Sequence, residues 1–217
     1  MRYMVLTSRH CEGFSLWDSK VNPYNAARTG PGRDLVAEYV EAVRSEGLKV
    51  GLYCSLMDWH HPDGARCYHD QAARRRFLDY SHGLVHELCS NYGKIDILWY
   101  DGAWPYTAED WRAKDLNARV RKLHPGILIN NRTGLAEDFG TPEQKIPGQG
   151  EYPATWETCM TMNEHWAWCP SDHDWKSPRQ LIQILARCVC LGGNLLLDVG
   201  PTPAGAFPPE AVERLKR

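Results

Sequence analysis

Apolar positions cluster into short β-prone runs that each end in polar residues, and between them stand longer stretches with the three-to-four-residue spacing of helices. Residues 3–7 form the first run and stop at Ser8, Arg9, His10, Cys11, Glu12 and Gly13, which predicts a buried strand opening into a polar loop. Leu35, Tyr39 and Val43 then recur at four-residue steps before Gly47, predicting a helix over 34–46 closed by that glycine. A strand expected over 48–54 follows at once and again meets polar residues, from Asp58 to Asp63. The unit repeats. Asp70 is placed to cap a helix with the stripe Ala73, Phe77, Tyr80, Leu84 and Leu88, and 95–100 reads as a third strand finishing at Asp101 and Gly102.

Thr107 with Asp110 predicts a capping box for the helix carrying Leu116, Val120 and Leu123, after which a strand over 127–130 hands over to Asn131 and Arg132. Periodicity fades over 133–175, which predicts a long, tryptophan-rich loop that builds a site. Ser177 and Pro178 with Gln180 predict a helix start, 181–191 its body, 194–199 the last strand and 210–217 a further helix. Alternating strands and helices predict an α/β fold with a parallel sheet and right-handed crossovers. Polar residues at the strand ends are what the carboxyl rim of a (β/α) barrel presents. A doubly wound open sheet shares the alternation, but neither GxGxxG nor GxxxxGK[ST] follows the first strand.

Composition narrows the function. The 217 residues are 43% hydrophobic and 24% charged, the profile of one folded domain, and 25 basic against 27 acidic residues give no electrostatic reason for nucleic-acid binding. No apolar run reaches the roughly 18 residues of a membrane span, and Met4-Val5-Leu6 is too short for a signal-peptide core. Eight cysteines without a CxxC pair point neither to a zinc ribbon nor to a disulfide scaffold. Nine tryptophans and ten tyrosines, many beside charged residues or glycine, favour flat faces with polar edges.

Asp101, at a strand's carboxyl end between Tyr100 and Gly102, is a candidate nucleophile or electrostatic stabiliser; the competing reading is a loop cap. Glycosyl or acyl chemistry needs a second acid, and the loop-rich stretch offers Glu143, Glu151 and Glu157, each of which also reads as an ordinary loop or ion-paired acid. Asp198 is a third strand-end acid, expected to anchor the turn at Gly200-Pro201. His10 beside Cys11 raises a thiol nucleophile, but neighbours on a strand face opposite ways. His82 and His86 are spaced for a metal on a helix yet lack the HExxH pattern, so a solvated face is expected. Asp58, His60, His61 and Asp63 match no metal site. Arg74-Arg75-Arg76 is expected on a surface turn, and Cys188 and Cys190 in core packing.

Seven blocks carry a resemblance: Val-Leu-Thr-Ser-Arg-His-Cys-Glu-Gly-Phe (5–14), Gly-Leu-Tyr-Cys-Ser (51–55), Ile-Asp-Ile-Leu-Trp-Tyr-Asp-Gly (95–102), Asn-Asn-Arg (130–132), Thr-Pro-Glu-Gln (141–144), Trp-Glu-Thr-Cys (156–159) and Asn-Leu-Leu-Leu-Asp-Val-Gly-Pro (194–201). In that order they resemble the α-L-fucosidases of glycoside hydrolase family 29. The resemblance implies a retaining exo-hydrolase that removes terminal α-L-fucose through a covalent fucosyl-enzyme, without a metal or organic cofactor, with a fucosylated glycan as its partner. It implies Asp101 as nucleophile and Glu143 as acid/base, with Glu157 and Glu151 as alternatives. His10 matches the first of the family's usual His-His pair and Cys11 stands in place of the second, while Tyr53, Trp99, Arg132 and Trp166 match positions lining the fucose pocket.

The fold so implied is a (β/α)8 TIM barrel, of which 1–217 is expected to be a partial catalytic barrel lacking the first strands and the C-terminal β-sandwich. The competing function is a catalytically inactive fragment or degenerate fucose-binding protein. A metal-dependent amidohydrolase on a similar barrel is disfavoured, because no paired metal-ligand motif follows the first strand.

Overall fold

Strand β1 (Tyr3–Arg9) passes through helix α1 (Leu35–Ser45) to β2 (Lys49–Ser55), and α2 (Gln71–Ser90) then leads to β3 (Ile97–Asp101). Helix α3 (Ala113–Leu123) leads to the two-residue β4 (Leu128–Ile129) and a 3-10 turn over Asn131–Thr133. The computed structural model describes residues 1–152 and 155–217, and the chain divides into two units, Met1–Asp138 and Phe139–Arg217. In the first unit all four strands are parallel in the order β1-β2-β3-β4.

Local chemistry explains these elements. The Asp34 carboxylate accepts the Ala37 N–H at 2.8 Å to open α1, and Asp70 accepts those of Ala72 and Ala73 to open α2, relieving donors that a helix start leaves unpaired. Val36, Val40 and Val43 of α1 and Phe77, Leu84, Val85 and Leu88 of α2 bury with Val50, Leu52, Cys54, Leu98 and Tyr100. Each such side chain contributes roughly 1.5–3 kcal/mol relative to exposure. The side chain of Asn130 extends the short β4, accepting the Tyr100 N–H at 3.0 Å and donating to the Tyr100 carbonyl at 2.9 Å.

In the second unit β5 (Glu157–Thr161) and β6 (Asn194–Asp198) pair in parallel, from Glu157 opposite Asn194 to Thr161 opposite Asp198. Helix α4 (Pro178–Cys190) joins them, opened by a reciprocal box between Ser177 and Gln180, and α5 (Pro209–Leu215) follows. An extended piece runs beside β5, with parallel bridges from Gly140 to Trp156 and from Glu143 to Cys159. Among the described residues no helix is long and apolar enough to cross a membrane.

Four expectations change. The Thr107–Asp110 hydrogen bonds form, but Arg112 at φ 50° interrupts the chain and α3 starts only at Ala113, so the box caps a preceding turn. Strand β5 lies inside the stretch read as loop; all five of its residues are buried, so it has no alternation to read. His82 is buried, its Nε2 2.8 Å from the Trp111 carbonyl and its Nδ1 against Arg119, whereas a solvated face was expected. Cys188 is buried but Cys190 is exposed, as a separation of two residues on a helix dictates.

Candidate active site

Register brings the first group together. Tyr53 pairs with Trp99 and Ser55 with Asp101 across β2 and β3, so these four side chains share one face of the sheet. The Tyr53 hydroxyl donates to Asp101 Oδ2 at 2.8 Å, and the Tyr53 and Trp99 rings stack with centroids 5.6 Å apart. Because Asn130 completes the β3–β4 ladder with its side chain, the backbone is released into the turn carrying Arg132. That guanidinium donates to Asp101 Oδ1 at 3.2 Å and lies 5.0 Å over the Trp99 ring. Both carboxylate oxygens therefore have a donor, and Asp101 keeps 16% of its side chain exposed. Burial and the charge of Asp101 push the Tyr53 phenol well up, so Tyr53 stays a donor at neutral pH.

His10, just past β1, stacks on Tyr53 with centroids 6.0 Å apart and an interplanar angle of 9°. Its Nδ1 stands 3.3 Å from Glu12 Oε2, and that hydrogen bond raises the imidazole pKa. Cys11 is directed at Ser55. Its side chain is buried with Sγ 3.0 Å from Ser55 Oγ, and burial raises the thiol pKa. Cys11 thus packs against Ser55, whose side chain shares the sheet face of Asp101 and Tyr53. Gly102, at φ 59°, closes over this pair, and a Cβ there would collide with Ser55 Oγ and stand 3.1 Å from Cys11 Sγ.

Sequence reasoning missed the support under these loops. Arg9 is fully buried and donates through Nη2 to Asp58 Oδ2 at 2.8 Å, and through Nη1 to the Ser55 carbonyl. The same carboxylate oxygen accepts the Tyr80 hydroxyl at 2.7 Å, while Oδ1 takes the His60 and His61 N–H groups at 2.8 Å each. Arg9 outweighs burial and holds the Asp58 carboxyl below its ordinary value. Asp63 is bound at both oxygens by Arg76, at 2.8 Å each, so this cluster is a brace for the loop after β2. The signal was Arg9 within a buried strand, since a guanidinium is buried only when paired. Among the described residues no group of three or more His, Cys, Asp or Glu side chains could hold a metal ion.

The other predicted residues belong to the second unit. Glu143 is exposed and immediately precedes Gln144, whose amide donates to Thr161 Oγ1 at 2.9 Å at the carboxyl end of β5. Glu157 opens β5 at the amino end, 4% exposed, and accepts from Asn194 Nδ2 at 2.9 Å; burial pushes its carboxyl up to about 7. Glu151 is exposed and accepts the Gly148 N–H at 2.6 Å, closing its own turn. Trp166 is exposed on the loop between β5 and α4. Asp198 ends β6, and burial alone pushes its carboxyl up to about 7.

The sequence model of the family described as Alpha-L-fucosidase matches residues 1–217. An α-L-fucosidase of Branchiostoma floridae is 34% identical over 235 residues, covering 99% of this chain and 51% of that protein. The solved structure of α-L-fucosidase isoenzyme 1 from Paenibacillus thiaminolyticus superposes with a TM-score of 0.90 at 41% identity, covering 99% of this chain and 58% of that one. A family 29 α-L-fucosidase from Bacteroides thetaiotaomicron, trapped as a covalent intermediate with 2-fluoro-fucosyl fluoride, superposes with a TM-score of 0.89 at 30% identity, covering 99% and 55%. The chain spans about half the length of the curated relatives it matches.

Proposed function

The chain belongs to the α-L-fucosidase family, and on that premise we propose that its residues carry out retaining exo-hydrolysis of terminal α-L-fucose from glycoconjugates. The reading rests above all on one observation, the Asp101 carboxylate at the carboxyl end of β3 with the Tyr53 hydroxyl on one oxygen and Arg132 on the other. A carboxylate so held is oriented before substrate arrives, which lowers the entropy cost of attack. The family resemblance implies a (β/α)8 barrel, whose chemistry sits at the carboxyl ends of its strands.

In the first step an Asp101 oxygen attacks the anomeric carbon, the bond to the leaving oxygen breaks, and Glu143 gives that oxygen its proton. In the second, the Glu143 carboxylate takes a proton from water, whose oxygen bonds the anomeric carbon as the ester bond to Asp101 breaks. Glu143 is preferred to Glu157 because Glu157 stands at the amino end of β5, away from the strand ends where a parallel sheet works, and to Glu151 because that carboxylate closes its own turn. Trp99 and Trp166 supply aromatic faces for the sugar, and His10, tied to Glu12, a donor for a hydroxyl. Tyr53 and Arg132 fix the direction of Asp101; their bonds weaken as its charge passes into the ester and strengthen again as it leaves in the second step.

The test is hydrolysis of an aryl α-L-fucoside by the wild-type chain and by Asp101→Gly. Loss of at least about a thousandfold on substitution, with turnover restored by azide as a fucosyl azide, is expected for a missing nucleophile. Fucose binding by the wild-type chain without any turnover would replace the hydrolase with a binding protein.

A further inference from the structure

Two tryptophans of the first unit stay in solvent where the others are buried. Trp17, Trp99 and Trp111 are at most 4% exposed, and the indole N–H groups of Trp17 and Trp111 donate to Glu87 and to the Ala103 carbonyl. Trp59 and Trp104 are 68% and 59% exposed, and among the described residues neither indole N–H has a hydrogen-bond partner. Beyond β2 and β3 the two chain segments stay tied, with the Leu56 N–H on the Asp101 carbonyl at 2.8 Å and the Met57 N–H on the Gly102 carbonyl at 3.1 Å. Trp59 stands two residues past Met57 and Trp104 two past Gly102, and two residues span at most about 7 Å. Both indoles are therefore carried at the carboxyl rim, on the loop that leaves the strand of Asp101 and on the loop of its neighbour.

Neither loop is slack. The Trp59 N–H donates to the Cys11 carbonyl at 2.7 Å, and Asp58 just before it is locked by Arg9. Beside Trp104, the Ala103 carbonyl accepts the Tyr106 N–H at 3.1 Å and the Trp111 indole at 2.6 Å, and the Arg74 guanidinium lies 4.6 Å over the Tyr106 ring. A large apolar face left in water on fixed backbone is a surface prepared for a partner. We propose that Trp59 and Trp104 form the platform for the sugar to which fucose is attached, the one that departs when the glycosidic bond breaks, an assignment that rests on the hydrolase reading. An exo-hydrolase holds the terminal sugar in its pocket, so the rest of the glycan lies out over the rim loops, where these two indoles stand. A pyranose presents axial C–H groups on a flat face and hydroxyls around its edge, which an indole matches with its ring face and its N–H.

The test compares α-L-fucosyl fluoride, which has no second sugar, with disaccharides carrying fucose α-1,2-linked to galactose or α-1,3- or α-1,6-linked to N-acetylglucosamine. For the best of these disaccharides, Trp59→Ala and Trp104→Ala should each lower kcat/KM relative to that for the fluoride by roughly three- to tenfold, the worth of one aromatic stacking contact. Trp59→Phe, which keeps a ring, should restore most of that ratio. Binding gives a readout without turnover: in Asp101→Asn, calorimetry should show the disaccharide bound at least about threefold more tightly than fucose, with the advantage lost when either tryptophan is also replaced by alanine. A kinetic ratio unmoved in both alanine variants, or disaccharide and fucose bound equally in Asp101→Asn, overturns the platform, while hydrolysis of the fluoride keeps the hydrolase reading. A binding advantage without turnover of any substrate upholds the platform and sinks the hydrolase instead, and binding of neither sugar rejects both.

Discussion

Tyr53 reaches Asp101 diagonally, its hydroxyl 2.8 Å from Oδ2, because the β2–β3 register sets Ser55 opposite the carboxylate and Tyr53 two positions earlier. That bond fixes the direction in which Asp101 attacks, and a nucleophile freed from it should lose roughly ten- to hundredfold in rate. Tyr53→Phe keeps the ring against Trp99 and removes only the donor. Steady-state kinetics should therefore give a fall in kcat of that size with little change in KM; a change confined to KM would make Tyr53 a sugar-binding residue instead.

Asp58→Asn should cost about 3–5 kcal/mol, because it leaves Arg9 buried without its counter-charge. The sign with pH follows from the lowered Asp58 pKa. Its stabilisation is present above the ordinary aspartate pKa of about 3.9 and is lost as pH falls through the depressed folded value. Urea unfolding at pH 7 should return the full deficit, and the gap between variant and wild type should narrow on acidification; a gap constant with pH would refute the ion-pair account.

Gly102→Ala combines a left-handed backbone with a Cβ in the space of Ser55 Oγ. Strain of this kind costs about 1–3 kcal/mol, and overpacking about as much again. Removing the hydroxyl in the pair Gly102→Ala with Ser55→Ala should recover the packing part only. Thermal unfolding of the single and double variants separates the two contributions, and an unchanged Tm in the single variant would contradict both.

Glu157 has the opposite pH signature to Asp58. Burial raises its folded pKa to about 7, so the folded state holds a proton that the unfolded chain releases from about pH 4.3 upward. The favourable contribution is complete below the unfolded pKa and disappears as pH rises through 7. Glu157→Gln should match wild type near pH 4 and exceed it at pH 8, read as the urea midpoint at each pH. Equal midpoints at both would mean that the carboxyl is not held protonated.

Helix starts were legible because capping is local: Asp34, Asp70 and the Ser177–Gln180 box act within three or four residues. The Thr107–Asp110 pair was legible as chemistry but not as a boundary, since the backbone reversal at Arg112 leaves no mark in the side chains. Strand β5 was hidden because Glu157, Thr158 and Thr161 are polar yet buried. At the site, Asp101, Tyr53, Trp99, Arg132 and His10 come together as the motif blocks suggested. What the motifs did not contain was direction: Cys11 sits beside His10 in the chain, but only the fold turns its thiol toward Ser55.

Slow loss of ammonia from Asn130 would convert the donor that clasps the Tyr100 carbonyl into a second oxygen, setting acceptor against acceptor at the seam beside Arg132. A mass gain of a single dalton on one side chain would then loosen the turn aimed at Asp101.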